Sequence, residues 1–560
     1  MKLLRLAALP LALSACLTAC SGGNTGEENI TPLPVAVTND RPVDQLTDSG
    51  ELRVPVTRMG TSLNPLSADA APEFDQMRRA FLPTLFSVTP TGEIAPNPDF
   101  LAKAEVTSAP GEATVVTLEL NPDATWGDGS PVTTDDLTAT WRACNGQNAE
   151  NHCREDLGLD RIRDIVAVSP TEASVSYTEA DPDWTEPLTK AGIVRASSVE
   201  TPETFNNGWT DEVRKEWVSG PYAPKKIDRD KNVISMSRND DWWGKGPALE
   251  RLTVVERDDA ELTSSFEKND VDVLDAGMSA DAFRAGTDNP DSVLRRGGGS
   301  EARTLVFNTQ SAGPVSDPGV RRAIALTLDR SQLGTAAMPD MDHAASALDN
   351  RVFLYGQDGY TDNAESTGTT RNLRKAKSAL NDAGWKTGGD GNRSRDGQPL
   401  EIAMVRVTGD AVSEREVAQV TEQLAAVGIR VVPEDVDVNA WADGAALASG
   451  TFQMAIYTEK QTAWPMSDLS QRFAQGGSRN WSKVSTPEME TALEELNAET
   501  DPVRRREIAN HLDELAWDEM GTLPLYQVPE TVFTRPRLAN FGAHGIGTVD
   551  WSTVGFVASS

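Results

Sequence analysis

Apolar residues recur every three to four positions in some stretches and every second position in others, and the two periods alternate from Glu51 onward. Val320, Ile324 and Leu328 form one stripe at a spacing of four. Asp317-Pro318 stands before it, an acceptor side chain at the N-cap followed by a Pro in the first turn, where its missing N–H is no loss. Thr486-Pro487 and Asp501-Pro502 repeat that start, and after the second Ile508, Leu512 and Leu515 share a face. Leu373, Ala376, Leu380 and Ala383 run up to Gly384, and Val417, Val420, Leu424 and Val427 run up to Gly428. Glycine suits the left-handed residue that closes a helix. Ile429–Val432 then reads as a strand, and further strands are predicted near 115–120, 173–177, 233–237, 252–256, 304–308 and 523–527. Helix, glycine, strand is the rhythm of a wound α/β fold. There is no internal repeat.

The chain has 560 residues, more than one hydrophobic core organises, so at least two lobes are expected. The start departs from the α/β rhythm. Lys2 and Arg5 precede an apolar run, Leu6–Leu13, too short to span a bilayer. Leu17-Thr18-Ala19-Cys20 resembles a lipobox, the site at which bacterial lipoproteins are lipidated on Cys and cleaved before it; Leu13-Ser14-Ala15-Cys16 also fits. Cys20 is preferred because Ser21-Gly22-Gly23 follows it. The expectation is a signal peptide over 1–20, a flexible tether over 21–46, and a protein held by lipid on the extracytoplasmic face of the cell membrane.

Removing Lys2 and Arg5 leaves 50 basic against 85 acidic residues, a net charge of −35. That balance argues against nucleic acid as a partner and against peripheral binding to anionic lipid. Cys144 and Cys153 remain after processing; in an oxidising compartment they read as one local disulfide, worth about 2.5–3 kcal/mol on the chain-entropy argument. His152 is the one nearby metal donor, so neither a metal nor a cofactor is expected. His-Glu-x-x-His, Gly-x-Ser-x-Gly and Walker A patterns are absent, and the four His are scattered, so no enzyme is expected. Gly297-Gly298-Gly299 reads as a turn.

A series of short blocks then appears in a familiar order: Leu63-Asn64-Pro65-Leu66; Trp126-Gly127-Asp128-Gly129-Ser130-Pro131 with Asp135-Asp136-Leu137; Ser219-Gly220-Pro221-Tyr222; Arg238 to Trp243; Phe307-Asn308 with Asp317 to Ala323 and Leu328-Asp329-Arg330; Asn480-Trp481-Ser482; and Leu523-Pro524-Leu525-Tyr526. In that order they resemble the extracellular solute-binding proteins of family 5, which serve peptide and nickel ABC importers. The resemblance implies a two-lobed periplasmic-binding-protein-like α/β fold with a hinge. Its first lobe, 47–303, would carry an inserted subdomain near 74–205; the second would span 304–525, and 526–560 would return to the first. It implies hinge crossings near 306–308 and 525–527. Ligand contacts are implied at Glu73, Phe74 and Asp75, at Asn308 and Tyr526 on the crossings, at Trp441, and at Glu459, Gln461 and Trp464. In peptide binders an Asp in that last loop holds the ligand's amino terminus. Here Gln461 stands in its place, and Glu459, with Lys460 beside it, is the nearest carboxylate. The implied function is capture of an oligopeptide or similar small solute by a monomer that delivers it to an ABC permease and ATPase. The missing Asp leaves open a same-fold lipoprotein that binds a glycolipid or cell-wall fragment in envelope assembly.

Overall fold

In the first strand, Glu51–Val56, Leu52, Val54 and Val56 point inward, as a period of two requires. It lies parallel to Arg251–Glu256, which continues through Val233–Arg238 to Tyr222–Asp228 in a four-stranded sheet. The computed structural model describes residues 30–442 and 444–558, so the signal peptide, Cys16, Cys20 and residues 21–29 lie outside the described residues.

Between the first strand and Tyr222 the chain builds an antiparallel sheet in the order Leu101–Val106, Val115–Leu120, Glu172–Tyr177, Ile162–Ala167. Helix Thr134–Cys144 packs on it and starts with a capping box between Thr133 and Asp136. Buried Asp136 also accepts from Trp126 Nε1 at 3.0 Å and from the Ala196 N–H at 2.8 Å, so the Trp-Gly-Asp-Gly block and the helix after it are locked together as scaffold. Cys144 and Cys153 are joined in a disulfide that ties the helix end to the strip beside Ser67.

The six-stranded sheet runs Val273–Asp275, Thr522–Thr534, Val293–Phe307, Met454–Lys460, Glu401–Thr408, Arg430–Asp437. Its two long central strands join the halves of the molecule. Residues 293–298 pair with 529–534 beside the first core, and 302–306 pair with 522–527 beside the second. The register shifts between Gly298 and Ala302, a bulge between the two paired stretches. Gly297-Gly298-Gly299 lies inside this strand rather than in a turn. A Cβ at Gly299 would sit 2.5 Å from the Val528 carbonyl oxygen and one at Gly298 2.9 Å from Gln527 Nε2, so glycine here reflects close backbone approach.

One hydrophobic core draws on residues 52–254 and on the returning tail through Leu538, Phe541, Val549, Trp551 and Val554. The other is built mainly from residues 305–528. Helices of the second lobe begin where the caps predict: Pro318–Thr327 with Asp317 accepting from Gly319 N, Pro487–Ala498 with Thr486 accepting from Met489 N, and Pro502–Glu519 with Asp501 accepting from Val503 and Arg504 N. Helix Ala411–Ala425 leads through Gly428, at φ +83°, into Arg430–Asp437, which lies parallel to Glu401–Thr408.

Residues 30–46 differ from the expected tether. Gly298 N donates to Pro34 O at 2.8 Å, Val37 pairs with Ala543, and Leu46 bridges Val557. Ser346 Oγ, in the second lobe, donates to Ile30 O at 3.2 Å. Apolar Val35, Val37 and Leu46 and the loss of Gly and Ser after residue 26 explain why this stretch docks. Among the described residues no helix is long and apolar enough to cross a membrane.

Candidate ligand-binding cleft

On the second lobe the strand Met454–Lys460 ends at the hinge, where Gln461 N donates to Ser300 O. Tyr457 and Glu459 share one face, and the Tyr457 hydroxyl donates to Glu459 Oε2 at 3.0 Å. Glu459 is 3% exposed and pairs with Arg479 Nη2 and, at 3.7 Å, with Arg472 Nε. Both arginines also face Asp468. Burial works against the Arg472 charge, but Glu459 and Asp468 outweigh it and hold its pKa above the ordinary value. Burial, reinforced by Glu459, pushes the Tyr457 hydroxyl far up. The carboxylate nearest to the place of the family's Asp is therefore already committed to two guanidinium groups and a phenol. Lys460, on the opposite face of the strand, is exposed.

Gln461 is buried, and its amide donates to Arg351 O at 3.3 Å. Asn308 is buried too, its Nδ2 donating to Gly450 O at 2.7 Å and Phe452 O at 3.1 Å. Tyr526 donates to Glu416 Oε1 at 2.6 Å, and Glu416 is held by Arg303 through Nε at 2.9 Å and Nη2 at 2.5 Å. Burial and the Glu416 charge raise the Tyr526 pKa well above normal. Trp441 is half-buried against the patch that includes Val405, Leu447 and Tyr457.

On the first lobe Glu73 is exposed, with Arg58 Nε at 3.6 Å. Phe74 is a core residue, tilted against Phe81 under the Arg78 guanidinium. Asp75 pairs with Arg78 and, at 3.0 Å, with Arg154, the residue after disulfide-bonded Cys153. Trp464 spans the two lobes: its Nε1 donates to Thr185 Oγ1 of the inserted subdomain at 2.9 Å. Close by, Arg505 of helix Pro502–Glu519 grips Asp183 with two bonds, 2.7 and 2.6 Å. Arg472, Arg479, Asp183 and Arg505 carried no signal that sequence spacing could reveal. Among the described residues no group of three or more His, Cys, Asp or Glu is placed to hold a metal ion.

Residues 99–481, more than half the chain, match the family model of bacterial extracellular solute-binding proteins, family 5. The chain belongs to that family. It is a solute-binding protein of the ABC-importer type, and its family is one of binding proteins rather than enzymes. The oligopeptide-binding protein OppA of Mycobacterium tuberculosis (strain H37Rv) is 30% identical over 560 residues, covering 98% of this chain and 93% of the relative. An uncharacterized lipoprotein of the same strain is 24% identical, covering 80% and 82%. Among solved structures, a periplasmic EDTA-binding protein, EppA, superimposes with a TM-score of 0.79 at 24% identity, covering 93% of this chain and 98% of its own. The oligopeptide-binding protein AppA of Bacillus subtilis, in complex with a nonapeptide, gives 0.65 at 17%, covering 92% and 100%. These similarities establish the two-lobed α/β fold.

Proposed function

We propose that this family 5 protein is a lipid-anchored receptor that captures oligopeptides, or solutes of similar size and polarity, between its lobes and hands them to an ABC permease and ATPase. The observation that carries this reading is likeness to an oligopeptide-binding protein along nearly the whole chain, hinge and returning tail included. The receptor acts as a monomer anchored through Cys20. Glu73 and Asp75 from the first lobe, with Trp441 and Trp464 from the second, meet the ligand; Asn308, Gln461 and Tyr526 hold the walls in shape. Glu459, saturated by Arg472 and Arg479, does not take up an amine. Blocking a peptide's amino terminus should then change affinity little. Titrating purified protein with a peptide library in free and N-acetylated forms, read by Trp fluorescence, tests this. Matched affinities within about threefold support it; a uniform lack of response would refute the peptide reading.

A second reading keeps the cleft but gives it a glycolipid or cell-wall fragment without an importer. The sealed Glu459 favours it, because nothing at that position demands a peptide terminus. Native mass spectrometry of protein isolated from its host separates the two by the mass of what co-purifies.

A further inference from the structure

The inserted subdomain and the second lobe are joined by two side-chain contacts. Asp183 lies in the turn before helix Thr185–Ala191, and Arg505 lies in the first turns of Pro502–Glu519. Their side chains are 11% and 6% exposed, and the two N–H···O bonds are parallel, the fork geometry that suits guanidinium to carboxylate. On the subdomain side Arg161 is bonded to Asp181 at 2.6 Å and Glu186 at 2.7 Å, and Lys190 to Glu186 at 3.0 Å. Those cations are spent on the neighbouring acids, so Asp183 takes its counter-ion from across the cleft. Arg161 also donates to Asp183 O at 3.2 Å, and Asp183 N to Asp181 Oδ1 at 3.0 Å, which fixes the turn in the orientation Arg505 meets. The Trp464–Thr185 bond crosses the same boundary two residues further along the subdomain chain.

We propose that Asp183 and Arg505 form a clasp that biases the lobes towards the closed arrangement, with Trp464 and Thr185 as its second catch. This rests on the two-lobed binding reading above and adds how its closure is set. Opening returns both charges to water, so the intact pair contributes only a modest bias. Removing one partner leaves the other charge enclosed and uncompensated in the closed form, and so drives the lobes apart. A ligand that cannot be gripped by its amino terminus then meets a cleft whose closure is assisted by the protein itself.

The test uses full-length protein stripped of ligand by unfolding and refolding, with spin labels introduced by Glu119→Cys on the subdomain and Glu494→Cys on the second lobe, both exposed positions. The otherwise unaltered protein is expected to show mainly the short, closed distance. Arg505→Ala and Asp183→Asn should each lower the closed-to-open ratio about tenfold or more. The exchange Asp183→Arg with Arg505→Asp should recover part of it. Thr185→Val, which removes the accepting hydroxyl at nearly constant volume, should give a smaller shift of the same sign. Near-ultraviolet circular dichroism verifies that each variant is folded. Unchanged distance distributions in folded Arg505→Ala and Asp183→Asn would overturn the clasp, as would a ligand-free parent that is wholly open. If the clasp variants open but no peptide moves the labels in any of them, the peptide reading fails and the clasp stands.

Discussion

Tyr526 was expected at the ligand, and the buried group around it allows a decisive test. Glu416 is 1% exposed; Arg303 grips it with two bonds while giving a third to Thr458 Oγ1 at 2.7 Å, and Tyr526 donates to it at 2.6 Å. Burial alone would lower the Arg303 pKa, but Glu416 more than reverses this. Glu416→Ala therefore strands a buried guanidinium and should destabilise the second lobe by about 3–5 kcal/mol. Replacing both partners, Arg303→Met with Glu416→Leu, removes the charges together and should lie within about 1 kcal/mol of the parent. Tyr526→Phe removes one bond and should cost about 1–3 kcal/mol. Because two lobes need not unfold together, the readout is amide hydrogen exchange in Thr522–Thr534, where protection in Glu416→Ala should fall by roughly 10²–10⁴-fold. Ligand affinity in Tyr526→Phe should stay within about twofold, as befits a wall-holding residue. Two results would refute the reasoning: a loss of under about 1 kcal/mol in Glu416→Ala, or a large affinity loss in Tyr526→Phe without a loss of protection.

His343 lines a void of about 20 Å³ with Pro32, Leu33 and Tyr355; burial, then the nearby Arg296 charge, holds its imidazole down to about 4. A depressed folded pKa gives stability that is present above the unfolded value of about 6.5 and lost as pH falls from there towards 4, up to about 3 kcal/mol. His343→Gln should flatten the melting temperature over that interval. Cys144→Ser should cost about 2.5–3 kcal/mol in denaturant unfolding and loosen Arg154 against Asp75. Cys20→Ala should move the protein from the membrane to the soluble fraction; unchanged membrane association would refute lipidation at that residue.

Local chemistry was the legible part. The caps at Asp317, Thr486 and Asp501 and the glycine after Val427 act within a few residues, and the helices start and stop where they predict. The site was less legible because its decisive contacts are remote in sequence. Lys460 is the neighbour of Glu459 in the chain, yet adjacent strand residues face opposite ways, and the charges that reach Glu459 come from Arg472 and Arg479. Asp183 is one acid among 85 Asp and Glu, and only folding brings Arg505 to it. The three glycines at 297–299 show another limit. Turn and close approach favour the same residue, and only the path of the Thr522–Thr534 strand tells them apart.

The docking of residues 30–46 bears on the proposed lipid anchor and on the hinge alike. On the proposed lipidation of Cys20, nine residues, 21–29, separate the anchor from the docked strip, and nine residues can span at most about 30 Å. On that proposal the protein would stay within a thin layer above the bilayer, and its search for a permease would run in two dimensions. Because Pro34 is bonded to Gly298 and Ile30 to Ser346 in the second lobe, any pull on this strip also bears on the joint about which the lobes swing.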